Sequence, residues 1–195
     1  MGKIFCIIGK SSTGKDTIYK KILNRDDLHL KQIVSYTTRP IRAGEVDGIE
    51  YHFCTQEEKE NLRSAGKVIE IRSYNTIHGQ WDYFTVDDDQ VDLTENNYLI
   101  IGTLESFMKI KEYYGEEVVI PIYIEVEDGV RLSRALNREM KQSHPKYEEM
   151  CRRFLADAKD FSEENLQKAH IDKVFENKNL DDIEDEIAEY IKSQM

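Results

Sequence analysis

Between the apolar run Lys3-Ile4-Phe5-Cys6-Ile7-Ile8 and a stretch of helical periodicity lies Gly9-Lys10-Ser11-Ser12-Thr13-Gly14-Lys15-Asp16-Thr17. Glycines framing a short polar loop, with a lysine at the entry to a helix, are what a phosphate chain requires. Glycine lets the backbone turn so that successive N–H groups converge on one oxyanion. The helix that follows adds the positive end of its dipole. Lys15 supplies a mobile cation for β and γ phosphates. The spacing assigns Gly9, Ser11, Ser12, Thr13, Gly14, Lys15, Asp16 and Thr17 to a nucleotide triphosphate, with Thr17 supporting Mg²⁺. A serine or threonine commonly follows such a lysine directly. Here Asp16 does, and its charge costs phosphate binding unless Mg²⁺ or Lys15 offsets it.

A second group of cations lies in Ser35-Tyr36-Thr37-Thr38-Arg39-Pro40-Ile41-Arg42-Ala43-Gly44-Glu45, followed by Val46-Asp47-Gly48-Ile49-Glu50-Tyr51-His52-Phe53. Arg39 and Arg42 flank a proline in a segment that cannot be continuous helix. Both guanidinium forks can close on one phosphate, and Tyr51 adds a neutral donor. Two loop arginines alone are ordinary surface charge; the phosphate loop upstream gives them weight. Further along, Arg134 and Arg138 are four apart and share a helix face.

These groups need a scaffold. The apolar run before the loop reads as a strand, and Asp16 to about Asn24 as a helix with Ile18, Ile22 and Leu23 inward. Leu30–Tyr36 reads as a second strand. Short strands follow at 50–53, 67–74 and 81–86, with a polar helix at 57–64. Asn97–Ile101 has the look of a central parallel strand, followed by a helix over 104–113 and a strand over 118–125. Asp128 is expected to cap a helix to about Gln142. A long helix is expected from near Pro145 to Lys168, with Met150, Phe154, Leu155, Ala158 and Phe161 as a core stripe. A strand at 171–175 and a helix at 180–193 close the pattern. Strands and helices alternate at both ends of the chain, which implies a parallel sheet covered by helices. The β-rich stretch 35–85 interrupts that alternation as an insertion.

With 195 residues, 39% of them hydrophobic and 33% charged, the chain fits one domain with a real core. A net charge of −11 argues against binding a nucleic-acid polymer and means that phosphate-binding cations must be focused locally. The three cysteines, Cys6, Cys54 and Cys151, lack metal-ligand spacing and suggest a reducing, cytoplasmic setting. No signal peptide is expected before the first strand, and no apolar run is long enough to span a bilayer.

With these motifs in this order and approximate spacing, the chain resembles the guanylate kinase family: the phosphate loop, then Ser-Tyr-Thr-Thr-Arg-Pro-x-Arg, then Gly-Glu-Val-Asp-Gly-x-x-Tyr-x-Phe. The resemblance runs through nearly the whole length. It implies an α/β, P-loop NTPase-type parallel sheet flanked by helices, with an inserted β-rich lobe for a nucleoside monophosphate and a helical lid. On that pattern one domain divides into a core (1–34, 86–127 and 169–195), a GMP-binding lobe (35–85) and a lid (128–168). The implied reaction is Mg²⁺-dependent transfer of a phosphoryl group from ATP to GMP. By matching position, Arg39, Arg42, Tyr51 and Tyr83 would hold the GMP phosphate, and Ser35 and Glu70 would read guanine. A carboxylate accepts guanine's N1–H and exocyclic amine together but meets a repelling lone pair at N1 of adenine. Lys15, Arg39, Arg134, Arg138 and Arg153 would carry the transfer, and Asn177 would lie near adenine. Monomer and homo-oligomer are both left open.

The chain also departs from the family. Gly102 and Leu104 stand where an acidic residue is typical after the 97–101 strand, with Glu105 as a substitute one turn on. The Gly-Lys-Asp of the loop resembles related ribose-bisphosphate kinases. The stretch His78-Gly79-Gln80-Trp81-Asp82-Tyr83 aligns less directly than the segment around Tyr51. A kinase for another phosphorylated acceptor, and an inactive guanylate-kinase-like binding module, are the rival readings. The retained Lys15, Arg134 and Arg138 weigh against the second.

Overall fold

A computed structural model describes residues 1–76 and 79–195, so His78 lies outside the described residues. Five strands form a parallel sheet: β1 (Ile4–Ile8), β2 (Leu30–Gln32), β7 (Asn97–Ile101), β8 (Val119–Glu125) and β9 (Val174–Glu176), in the order β2-β7-β1-β8-β9. Parallel pairing buries both faces of central strands, which is why β1 is apolar throughout and inaccessible at every position. Alternate residues serve opposite faces. Ile4, Cys6 and Ile8 pack with Tyr98, Ile100 and Phe107 on one side. Phe5 and Ile7 pack with Ile18, Leu99 and Ile187 on the other. Each such buried side chain contributes about 1.5–3 kcal/mol. Helices α1 (Lys15–Leu23) and α7 (Leu180–Gln194) cover the second face, and α3 (Leu104–Tyr114) covers the first.

A second sheet, in the order β4-β3-β6-β5, comprises β3 (Tyr36–Thr37), β4 (His52–Phe53), β5 (Val68–Thr76) and β6 (Gly79–Val86), with α2 (Gln56–Ser64) against it. The expected single strand over 30–36 is therefore two. Residues 30–32 pair with β7 in the first sheet, and Tyr36–Thr37 pair with β6 in the second. Between them Val34 N–H donates to the Gln90 side chain instead of a strand. Lys59 of α2 ion-pairs at 2.7 Å with Asp82, whose side chain is inaccessible; Ser73 and Gln80 donate to the same carboxylate. That buried cluster ties α2 to the sheet.

The last third holds α4 (Asp128–Met140), α5 (Tyr147–Asp160) and α6 (Glu163–Lys168). Two expectations change here. Glu127, not Asp128, caps α4: its carboxylate accepts from the N–H groups of Gly129 and Val130. The long helix from Pro145 to Lys168 breaks at Phe161-Ser162, because the Ser162 hydroxyl caps α6 and Phe161 turns inward to stack on Tyr123. Of the expected stripe only Phe161 belongs to the core, and Leu155 is 69% exposed. From this helix Phe154 lies against Arg131 of α4 and Asp157 reaches Ser11 of the 9–17 loop.

Candidate active site

The phosphate loop leaves the carboxyl end of β1, where ligands of parallel α/β sheets gather. Two glycines are obligatory here. A Cβ at Gly9 would lie 2.5 Å from the Ile124 carbonyl oxygen. Gly14 has φ of 87°, and a Cβ there would meet the Asn177 amide at 2.7 Å. The loop is braced from within and below: Thr13 Oγ1 donates to Lys10 O at 2.9 Å, and Asn177 Nδ2 donates to Thr13 O at 2.7 Å. Asn177 therefore sits beneath the loop with its amide committed to a loop carbonyl. The buried Ser12 hydroxyl has no hydrogen-bond partner among the described residues, a polar atom left for a ligand. Lys15 is half-buried at the first position of α1. Burial pushes its ammonium pKa down, against the pull of Asp16 and Asp157. Asp16 and Thr17 are exposed in the same turn.

Helices α4 and α5 bring further charge to this loop. Arg153 Nη2 donates to Ser11 Oγ at 3.2 Å, and Arg153 and Arg138 both act electrostatically on Lys15. Arg134 is exposed and forms no hydrogen bond or ion pair among the described residues. Two residues absent from the sequence reading complete the contact. Arg131 is fully buried, donates to Ser11 O at 2.9 Å and to Asp128, and lies 4.5 Å from the Phe154 ring centre. Asp157 accepts the Ser11 N–H at 2.8 Å. Its signal in the sequence was an acid three places after Phe154, on the apolar side of a helix.

Across the cleft, Arg39 is 3% exposed and forms a two-pronged pair with Glu45, at 2.8 Å from Nη1 and 2.6 Å from Nη2. Its Nε has no hydrogen-bond partner among the described residues, and its guanidinium carbon lies 5.3 Å from the ring centres of both Tyr51 and Phe53. Arg39 holds the Glu45 carboxyl down to about 2. Tyr51 packs edge-on against Tyr83 at 5.6 Å. Arg39, Tyr51 and Tyr83 thus converge, while the Arg42 side chain is exposed beside them. Ser35 is buried at the entry to β3. Glu70 is 5% exposed and accepts from Thr85 Oγ1 at 2.8 Å and from Arg72. Asp16 is close enough to act electrostatically on Tyr51. Gly102 is enforced locally: a Cβ there would meet Ser106 Oγ at 2.4 Å, and Ser106 is held by the Thr103 capping box. Glu105 is exposed in the first turn of α3.

The sheet order, the braced glycine loop and the second sheet facing it define an α/β protein of the phosphate-binding-loop class. A family model described as guanylate kinase matches residues 1–194, and the chain belongs to that family. Guanylate kinases of Streptococcus pyogenes serotypes M3 and M18 are each 41% identical over 73 residues, which is 37% of this chain and 35% of theirs. The matched stretch therefore spans about a third of those relatives. A crystal structure of guanylate kinase from Anaplasma phagocytophilum superposes with a TM-score of 0.68 at 23% identity, covering 99% of this chain and 86% of that one; it shares the fold. No helix among the described residues is long and apolar enough to cross a membrane.

Proposed function

We propose that this chain transfers the γ-phosphoryl group of ATP to GMP, giving ADP and GDP, in the cytoplasm. The single observation that supports this most is the pairing of a backbone-built phosphate loop with a buried arginine, Arg39, whose Nε is unpartnered among the described residues and lies beside Tyr51 and Tyr83. Residues 35–85 act as the acceptor lobe and 128–168 as a closing lid, with 1–34, 86–127 and 169–195 as the core of one domain.

ATP lies with its phosphates over residues 9–17, where the Ser12 hydroxyl and Lys15 meet them. The Arg39 fork, with Arg42, Tyr51 and Tyr83, holds the GMP phosphate in line with the γ-phosphorus. Ser35 and Glu70 face guanine. A phosphate oxygen is already a nucleophile, so no strong base is needed, and positioning and charge neutralisation carry the rate. Lys15, Arg138 and Arg153 surround the transferring group, and Arg134 joins them as α4 closes. Closure excludes water, which competes as acceptor. Mg²⁺ would be held mainly by phosphate oxygens and water, as is usual for this ion with a nucleotide. Asp16 and Thr17 offer it hard oxygen donors at the start of α1. When bound, Mg²⁺ neutralises phosphate charge.

The test is ADP formation from Mg-ATP with GMP, dGMP, AMP, UMP and ribose bisphosphate offered separately. GMP is expected to be the best acceptor. Turnover with ribose bisphosphate and none with GMP contradicts the assignment.

A further inference from the structure

One arginine on the acceptor lobe has no part in the proposed reaction. Strand alternation puts Glu70, Arg72 and Tyr74 on one face of β5, and the antiparallel register sets Thr85, Tyr83 and Trp81 opposite them. This is the face on which Tyr83 meets Tyr51. The Arg72 side chain is 12% exposed and that of Glu70 2%. Arg72 Nε donates to Glu70 Oε2 at 2.9 Å, and Nη2 donates to Oε1 at 3.1 Å. Thr85 Oγ1 donates to Oε1 at 2.8 Å. A carboxylate offers about four lone-pair positions. Three are occupied, and the remaining one is on Oε2. Burial disfavours the Arg72 charge, but the Glu70 carboxylate more than offsets this and leaves its pKa raised.

Guanine's N1–H and exocyclic amine form a parallel donor pair, and that edge of the base is itself a guanidine fragment. Arg72 presents the same two donors to the same two oxygens. We propose that Arg72 is a specificity-determining residue: it occupies Glu70 as an internal mimic of the guanine edge and so weakens selection of guanine over adenine. The inference rests on residues 35–85 being the acceptor site. With Arg72 seated, guanine reaches only the free position on Oε2 unless it displaces a charge-assisted pair. Adenine meets the reverse situation. Its N1 lone pair, which a bare carboxylate repels, accepts from the guanidinium, and its amine donates to Oε2.

The experiment compares wild type with Arg72→Ala and Arg72→Gln. It measures kcat/KM with Mg-ATP for GMP and AMP, and Kd for each monophosphate by calorimetry without ATP. The GMP-to-AMP ratio cancels contacts to the ribose and phosphate that both share. Arg72→Ala is expected to raise that ratio by about tenfold or more, with GMP binding tightening and AMP binding weakening. Arg72→Gln, which keeps a neutral donor and the packing of the stem, should fall between and serves if truncation unfolds the lobe. Adding Glu70→Gln to either should abolish the gain. An unchanged or lowered ratio in both variants overturns the inference. If wild type binds no GMP and Arg72→Ala does, the inference stands and the proposed GMP kinase activity falls. If no variant binds GMP, both fall.

Discussion

The two sides of the cleft are built from different materials. On the side of residues 9–17, the proposed binding surface is formed by the chain's own peptide groups. Braces fix its shape: Thr13 to Lys10, Asn177 to Thr13 and Arg131 to Ser11. One of its peptide donors, the Ser11 N–H, is held by Asp157. On the side of residues 35–85, the proposed binding groups are side chains, and the buried charged ones are already engaged. Arg39 is held by Glu45, and Glu70 by Arg72. On the proposed assignment, a braced backbone site keeps its shape when the ligand arrives, whereas a side-chain site must exchange one partner for another. In the proposed reaction the first kind recognises phosphate in general. The second sets which molecule receives it, because the cost of each exchange depends on the ligand.

The largest test of this contrast is Lys15→Ala. Removing the cation at the entry to α1 should lower turnover by about a thousandfold, while GMP affinity measured by calorimetry stays as in wild type. A comparable loss of GMP affinity would mean that the two sides are not separate. Next, Lys59→Met leaves Asp82 buried without its cation and should destabilise the chain by about 3 kcal/mol in urea unfolding. A midpoint like that of wild type would show that the lobe does not depend on this pair. Smaller is Asn177→Ala, which removes one brace. The KM for ATP should rise about tenfold, the equivalent of one buried hydrogen bond of about 1.4 kcal/mol, with the KM for GMP unmoved. A shift in the GMP value instead would reassign the residue.

The smallest effect concerns acid. Burial pushes the Asp82 carboxyl up, but Lys59, Ser73 and Gln80 outweigh it and hold it at about 2, below its ordinary 3.8. A depressed carboxyl stabilises the fold fully above its unfolded value, and that stability is lost as pH falls from about 3.8 toward 2. Urea midpoints taken stepwise across that window should therefore fall with pH in wild type. In Lys59→Met that decline should shrink, because without the cation the folded-state carboxyl moves back toward its unfolded value and little stability remains to be lost across the window. Identical pH profiles would remove Lys59 as the cause.

Much of the backbone side was legible in the sequence, because its chemistry is local. Gly9, Gly14 and Lys15 are fixed by turn and helix geometry within nine residues, and the apolar β1 announces its own burial. The parallel sheet followed from alternation of elements. What was not legible depends on partners far along the chain. Lys59 looked like one charge on a polar helix, and only Asp82, 23 residues on, makes it structural. Arg131 was one arginine among several, and its burial depends on Ser11, 120 positions earlier. The break at Phe161-Ser162 was hidden because helical spacing continues across it, while Tyr123 decides where Phe161 goes. Glu70 was legible as a candidate base reader, but its occupation by Arg72 was not, since two residues apart on a strand matters only once the strand is known.

The central claim is that two anionic substrates are held end to end, one by peptide groups and one by guanidinium groups. The most direct measurement is the calorimetric Kd of adenosine and guanosine joined through five phosphates, compared with those of ATP and GMP alone. Simultaneous engagement of both sides predicts binding at least about a hundredfold tighter than either nucleotide. Binding no tighter than that of ATP would mean that the two sides do not share one ligand axis.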